Sequence, residues 1–277
     1  MHLYQKNTFE DCIMILRYIL IIFIAFEMLA CGRRESKKLA SASIKDTIAY
    51  TYKTFKQRDP ACTRPDSDCT VVTIKYPVFN GLIELNDSIK HKFHTVFWGE
   101  LNNITDTALK EYAHHFINAS RKDTLRDPDR AWSIESSAKV ITQDTSLITI
   151  YFSSENYAGG GHSFNEFGFI NWNRKKSQIV NLKDLLNDGY NEKLTKTAEQ
   201  IFRKNNNLTA ADSLNGLFFN YGKFFLTNNF LITKTGLLFL FSDHEINPTE
   251  LKTEIDIPYS QIKSLLRPNT VVAQYIK

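Results

Sequence analysis

The fold is decided by the stretch Ile148-Thr149-Ile150-Tyr151-Phe152-Ser153-Ser154-Glu155-Asn156-Tyr157-Ala158-Gly159-Gly160-Gly161-His162. A run of β-branched and aromatic residues predicts a strand that leads into three consecutive glycines. The apolar pattern then resumes and predicts a second strand. Glycine tolerates positive φ and lets other atoms approach the backbone. The triple glycine therefore predicts a bulge, a tight crossing or a contact surface between the two strands.

The residues around these glycines are the candidate ligand-binding residues. Aromatic rings here could stack on sugar rings, although alternating aromatic residues in strands first of all form core and cross-strand contacts. Trp172 lies between two asparagines and is the aromatic residue of most interest. The candidates are Tyr157, Gly159, Gly160, Gly161, His162 and Trp172.

The N-terminus has the pattern of a bacterial lipoprotein signal peptide. Met14 starts a segment with one basic residue, and its apolar run, residues 18–26, is far shorter than the roughly 20 residues of a membrane span. Leu29-Ala30-Cys31 resembles a lipobox. We therefore expect residues 1–30 to be a signal peptide whose true start is Met14, with Cys31 as the lipidated residue. A transmembrane anchor is the alternative.

Lipidation at Cys31 would hold the chain at a bilayer without crossing it. The polar residues that follow predict a flexible tether over residues 31–42. We expect a location in the bacterial cell envelope, periplasmic or outer-membrane-associated, with membrane contact through the lipid anchor only.

The charge balance argues against a nucleic-acid partner. The 34 Lys and Arg residues exceed the 30 Asp and Glu residues by a net charge of +4, and no basic stripe interleaves with aromatic residues. A helix carrying His-x-x-x-His or His-Glu-x-x-His is also absent from the sequence. We expect no nucleic-acid binding, no cofactor and no metal.

Cys62 and Cys69 are the two cysteines of the expected folded region. In an oxidising envelope compartment they most simply close a small disulfide loop. Two thiols alone are too few for a structural zinc site, and a redox motif more often has two intervening residues. The spacing therefore favours a disulfide that clips a hairpin.

The remaining pattern places strands and helices in blocks. Period-2 segments predict strands at residues 43–56, 70–79, 132–140, 146–157, 166–173, 176–182, 224–233, 236–241 and 253–258. Helix-period segments predict helices at residues 82–98, 105–120, 190–205 and 259–266, with a further short helix at 210–214. Blocks of this kind predict an α+β fold with mostly antiparallel sheets and helices packed on one face. We expect two consecutive subdomains, residues 43–145 and 146–277.

Several motifs resemble one family in the same order. They are Tyr157-Ala158-Gly159-Gly160-Gly161-His162, Asn171-Trp172-Asn173, Val180-Asn181-Leu182-Lys183-Asp184-Leu185-Leu186, Asn229-Phe230-Leu231-Ile232-Thr233, Gly236-Leu237-Leu238-Phe239, Ser242-Asp243-His244-Glu245-Ile246 and Ile255-Asp256-Ile257-Pro258-Tyr259. Together they resemble the domain of unknown function shared by the anti-sigma factor RsiV and the peptidoglycan deacetylase PdaC. Residues 40–150 are similar to the smaller module that precedes it.

The resemblance implies a binding module. In RsiV the region recognises lysozyme, whereas in PdaC the deacetylase chemistry belongs to a separate catalytic domain. We expect this chain to be the module alone, without that catalytic domain or a cytoplasmic anti-sigma segment. The implied partner is a peptidoglycan-type cell-wall glycan or a lysozyme-like protein.

A catalytic interpretation stays open as the alternative. His162 could serve as the general base of an envelope hydrolase or deacetylase if Asp243 or Glu245 positioned it. A structural histidine and a solvated acidic turn explain the same residues without catalysis. Gly-x-Ser-x-Gly is absent, so a serine hydrolase is not expected. We therefore expect a non-catalytic envelope lipoprotein.

Overall fold

The structure is a computed structural model that describes residues 47–96, 105–124, 130–217, 219, 222–243, 245–246 and 253–276. The expected signal peptide, the lipidation at Cys31 and the tether at residues 31–42 lie outside these ranges. Within them, no helix combines the length and the apolar character that crossing a bilayer requires.

Strands and helices alternate in blocks along the chain. The strands are β1 (Tyr50–Arg58), β2 (Val71–Phe79), β3 (Ser133–Gln143), β4 (Leu147–Tyr157), β5 (Phe164–Asn173), β6 (Gln178–Ile179), β7 (Phe230–Ile232), β8 (Gly236–Phe241) and β9 (Thr253–Pro258). The α-helices are α1 (Ile83–Val96), α2 (Asp106–Lys122), α3 (Leu182–Leu185), α4 (Tyr190–Asn205) and α5 (Tyr259–Ile262).

The first six strands form one sheet in sequence order. Neighbouring strands are antiparallel except β2 and β3, which are parallel. Parallel neighbours need a long crossover connection, and α1 and α2 lie in that connection. Thr105 caps α2, because its hydroxyl accepts a hydrogen bond from the Ala108 N–H at 3.0 Å.

The core of this sheet lies on the face that α1 and α2 cover. Alternation along β4 places Ile148, Ile150 and Phe152 on that face, and all three are buried. Apolar residues of the two helices complete the cluster, namely Leu85, Ile89, Phe93, Leu109, Ala113 and Phe116. Helices packed on one face of a mostly antiparallel sheet are what the sequence predicts.

Strands β7, β8 and β9 form a second, antiparallel sheet with its own core. Helices α4 and α5 pack against it. Buried Asn171 of β5 links the two sheets, because its amide donates to the Phe230 carbonyl and accepts from the Ile232 N–H, each at 2.8 Å. The α+β class with two subdomains is confirmed. The expected boundary at 145/146 falls in the turn between β3 and β4.

Four segments differ most from the pattern expected of them. The strand expected at 176–182 forms only at Gln178–Ile179, and the helix expected at 259–266 ends at Ile262 and is followed by the 3₁₀ turn Lys263–Leu265. The strand expected at 224–233 forms only at Phe230–Ile232, and the ring of Phe224 packs instead against the second core. Residues 210–214 form turns rather than a helix, where the Arg203 guanidinium donates to two backbone carbonyls.

Candidate functional site

The three glycines lie in the connection between β4 and β5, residues 158–163, which we call the glycine loop. Gly159 and Gly160 have φ values of +85° and +88°, which side chains strongly disfavour. A Cβ on Gly159 would also lie 3.1 Å from both Asp123 Oδ2 and Trp132 Nε1. At Gly160 and Gly161 a Cβ would meet open space. The loop thus has one crowded glycine at its base and two open glycines at its tip.

Tyr157 supports the glycine loop from the protein interior and offers almost no surface to a ligand. Its side chain is only 1% exposed, and its hydroxyl donates to the Gly160 carbonyl at 3.2 Å. The Arg130 guanidinium lies over the ring at 3.7 Å from the centroid, a cation–π contact. Among the predicted ligand-binding residues, Tyr157 therefore has a positioning role.

Arg130 also fixes the far end of the glycine loop. Its Nη2 donates to Ser163 Oγ at 2.6 Å, and Ser163 Oγ donates to Glu155 Oε1 at 2.8 Å. Arg130 Nη2 itself lies 3.9 Å from that carboxylate oxygen. Sequence reasoning missed Arg130 and Glu155. The pairing of Ser133 with Tyr157 across β3 and β4 is what brings residue 130 close to residue 157, and a correct strand register would have been needed to find it.

His162 and Phe164 form the exposed part of the site. Both side chains are exposed, Phe164 to 56%, and their ring centroids are 5.5 Å apart. A large exposed aromatic ring beside an imidazole and open backbone offers both stacking and hydrogen bonding. The site presents this combination where the glycine loop meets the start of β5.

The acidic residues suggested for catalysis are held by other partners. Asp243 Oδ2 accepts a hydrogen bond from the Asn165 amide at 2.6 Å. Glu245 Oε2 accepts from the Ser242 N–H at 2.8 Å. Whether Asp243 or Glu245 positions His162 as a general base stays a prediction.

Trp172 does not join the glycine loop. It is 2% exposed, packs in the first core and lies opposite Ile148, whereas Phe164 beside the loop lies opposite Asn156. Phe164 and Trp172 are eight positions apart, which corresponds to roughly 26 Å of strand. The expectation that Trp172 contacts a ligand is wrong, because its end of β5 packs in the first core, whereas Phe164 on the same face of the strand is exposed.

Helices α1 and α2 also carry histidines. His91 of α1 and the pair His114 and His115 of α2 are exposed. In the ranges that the structure covers, no three His, Cys, Asp or Glu side chains are grouped to hold a metal ion.

Arg130 also lines a groove of about 600 Å³. Cys62 and Cys69 form a disulfide in its wall, with their Cα atoms 5.9 Å apart. Arg64, Arg121 and Arg130 also line the groove. Arg130 therefore belongs both to the clamp of the glycine loop and to this groove.

The comparisons with known proteins agree with this architecture. Residues 63–165 match the family model described as deacetylase PdaC, and residues 183–260 match the one described as a protein of unknown function, DUF3298. The predicted resemblance to this type of protein is confirmed. No curated protein matches the chain.

Two solved structures share the fold. A DUF3298 family protein from Pseudomonas aeruginosa PAO1 is 22% identical, with a TM-score of 0.65 over 82% of this chain and 97% of that one. A DUF3298 family member from Bacteroides fragilis NCTC 9343 is 20% identical, with a TM-score of 0.65 over 84% of this chain and 99% of that one. At these identities the likeness concerns the fold.

Proposed function

Since the chain pairs a PdaC-type domain with a DUF3298 domain, we propose that it is a non-catalytic envelope lipoprotein that binds a cell-wall-related ligand. The ligand is a peptidoglycan-type glycan or a lysozyme-like protein. Anchoring through Cys31 would place the module where such ligands occur.

The glycine loop is the observation that carries this proposal. Its open glycines, exposed His162 and exposed Phe164 form a protruding surface. Tyr157 and Arg130 hold the loop from behind. A surface that is already ordered loses less conformational entropy when a ligand binds.

Both ligand types suit the chemistry of this surface. The ring of Phe164 can stack on the apolar face of a sugar, and His162 can exchange hydrogen bonds with hydroxyl or amide groups. The same aromatic ring can fill a cleft on a protein partner, since aromatic side chains dominate interface hot spots. Neither role needs an acid or base positioned beside His162.

A titration of the purified full chain tests the proposal. Soluble peptidoglycan fragments and lysozyme are added separately, and binding is measured by calorimetry. We expect one of them to bind, and Phe164→Ala to weaken that binding at least about tenfold, since hot-spot aromatic residues contribute about 2 kcal/mol or more.

Ile83→Ala is the matched control, because Ile83 is 70% exposed on α1. It should leave the affinity unchanged. Absence of binding to both ligands, or equal loss in the two variants, contradicts the proposal.

A further inference from the structure

The groove beside Arg130 is polar and carries three guanidinium groups. Arg64, Arg121 and Arg130 line it together with the acids Asp59 and Asp68. Its volume, about 600 Å³, is within the range of small-molecule sites, roughly 300–1,000 Å³.

The three arginines differ in how far they are neutralised. Arg121 forms a two-pronged pair with buried Asp59, in which Nε lies 3.1 Å from Oδ2 and Nη2 contacts Oδ1. Arg130 lies 3.9 Å from Glu155, a loose ion pair. The Arg64 guanidinium forms no ion pair with any residue that the structure describes. Among the residues that the structure describes, Arg64 and Arg130 are therefore less fully neutralised than Arg121.

The wall that carries Arg64 is fixed in place. The disulfide between Cys62 and Cys69 closes the loop, and the Arg64 carbonyl accepts a hydrogen bond from Arg58. Asp66 of the same loop pairs with Lys56 at 2.6 Å and with Arg58 at 3.0 Å. The loop is thus tied to β1 at several points.

The opposite wall is fixed by the stacking of Arg130 on Tyr157 and by its bond to Ser163. The Arg130 guanidinium held in this way costs less entropy on binding than a flexible surface side chain, and at Arg64 the loop contacts fix the backbone. Guanidinium groups bind carboxylates and phosphates through paired, charge-assisted hydrogen bonds. Thr63 adds a hydroxyl to the same lining.

We propose that this groove binds an oxyanion, a carboxylate or a phosphate group, between Arg64 and Arg130. The site is separate from the exposed ring of Phe164 and goes beyond the proposed function, which needs no charged ligand. Among the described lining residues, Asp68 is the acid without an arginine partner. It is exposed and accepts a hydrogen bond from Ser67 Oγ at 2.9 Å.

The test is a titration of the full chain with sodium phosphate and, separately, with sodium citrate, at constant ionic strength set with chloride. We expect Arg64→Gln to weaken binding at least about tenfold, because hydrogen bonds to charged groups contribute about 1.5–3 kcal/mol. Lys193→Gln removes one positive charge from the exposed surface of α4 and is the control for net charge. It should leave the affinity unchanged.

The outcomes separate this proposal from the proposed function. Binding of either anion that depends on Arg64 supports the site, and the tighter anion identifies carboxylate or phosphate chemistry. Failure of both anions to bind, or equal affinity of the wild type and Arg64→Gln, overturns it. A parallel titration with neutral N-acetylglucosamine oligomers tests the glycan arm of the glycine-loop proposal, so the two can fail independently. Thermal unfolding of Arg64→Gln confirms that the variant is folded.

Discussion

Alanine substitutions at the three consecutive glycines should have three different effects on stability. Gly160 has a φ of +88° and open space around a Cβ, so Gly160→Ala isolates the conformational cost. An L-residue in the left-handed region costs about 1–2 kcal/mol. Gly161 has no positive φ and open space, so Gly161→Ala should be neutral or stabilise by up to about 1 kcal/mol through the unfolded state.

Gly159→Ala adds crowding to the conformational cost. Its Cβ would lie 3.1 Å from Asp123 Oδ2 and from Trp132 Nε1, so both neighbours must move by a few tenths of an ångström. We expect it to be at least as destabilising as Gly160→Ala.

Urea unfolding of the full chain, followed by tryptophan fluorescence, measures the free energy of unfolding of each variant. The order of stability should be Gly161→Ala, then Gly160→Ala, then Gly159→Ala, with at least about 1 kcal/mol between the first two. If Gly160→Ala is as stable as Gly161→Ala, the reasoning about the loop backbone is refuted.

Three further predictions concern the scaffold. Replacing Cys62 and Cys69 with serine should lower the free energy of unfolding by about 2.4 kcal/mol, which is the loop-closure entropy for a separation of 7 residues. In thermal melts, reducing agent should abolish the difference between the wild type and this variant. Asn171→Leu should lower the free energy of unfolding, measured with urea, by about 2–4 kcal/mol, because it leaves two buried backbone groups of the second sheet without partners. An unchanged free energy of unfolding would show that this link between the sheets is dispensable. Burial alone would raise the pKa of Asp144, but hydrogen bonds from Tyr275 and neighbouring groups outweigh this effect and hold the pKa below its usual range. Ionised Asp144 therefore stabilises the fold at pH values above its unfolded pKa, near 4, and this stabilisation is lost as the pH falls through the lower folded pKa. Tyr275→Phe should therefore reduce the acid-dependent loss of stability below about pH 4, and an unchanged pH profile would contradict this assignment.

Regular elements with strong periodicity follow from the sequence. Helix α4 and strands β8 and β9 have the predicted bounds, because a long amphipathic stripe and dense apolar runs leave little ambiguity. The strand expected at 224–233 is mostly irregular, since the ring of Phe224 packs against the rings of Phe202 and Phe219 rather than into a strand ladder. A run of aromatic residues in a sequence is compatible both with ring packing in a core and with strand pairing.

The candidate site was only partly predictable for a related reason. The glycine loop is visible in the sequence, but Arg130 reaches it through the pairing of β3 with β4, a contact distant along the chain. Trp172 was misassigned because it shares a face of β5 with exposed Phe164 but lies where that face packs in the first core. The sequence alone does not show how far along a strand the core extends. The parallel pairing of β2 with β3 likewise depends on how the intervening helices pack.

Amide hydrogen exchange of the full chain, with and without lysozyme or soluble peptidoglycan fragments, is the most direct test of the central claim. If the chain grips a wall-related ligand through the glycine loop, the amides of residues 158–164 should become protected in the presence of one of these ligands. Protection confined to other surfaces, or exchange unchanged by every ligand, would contradict the account.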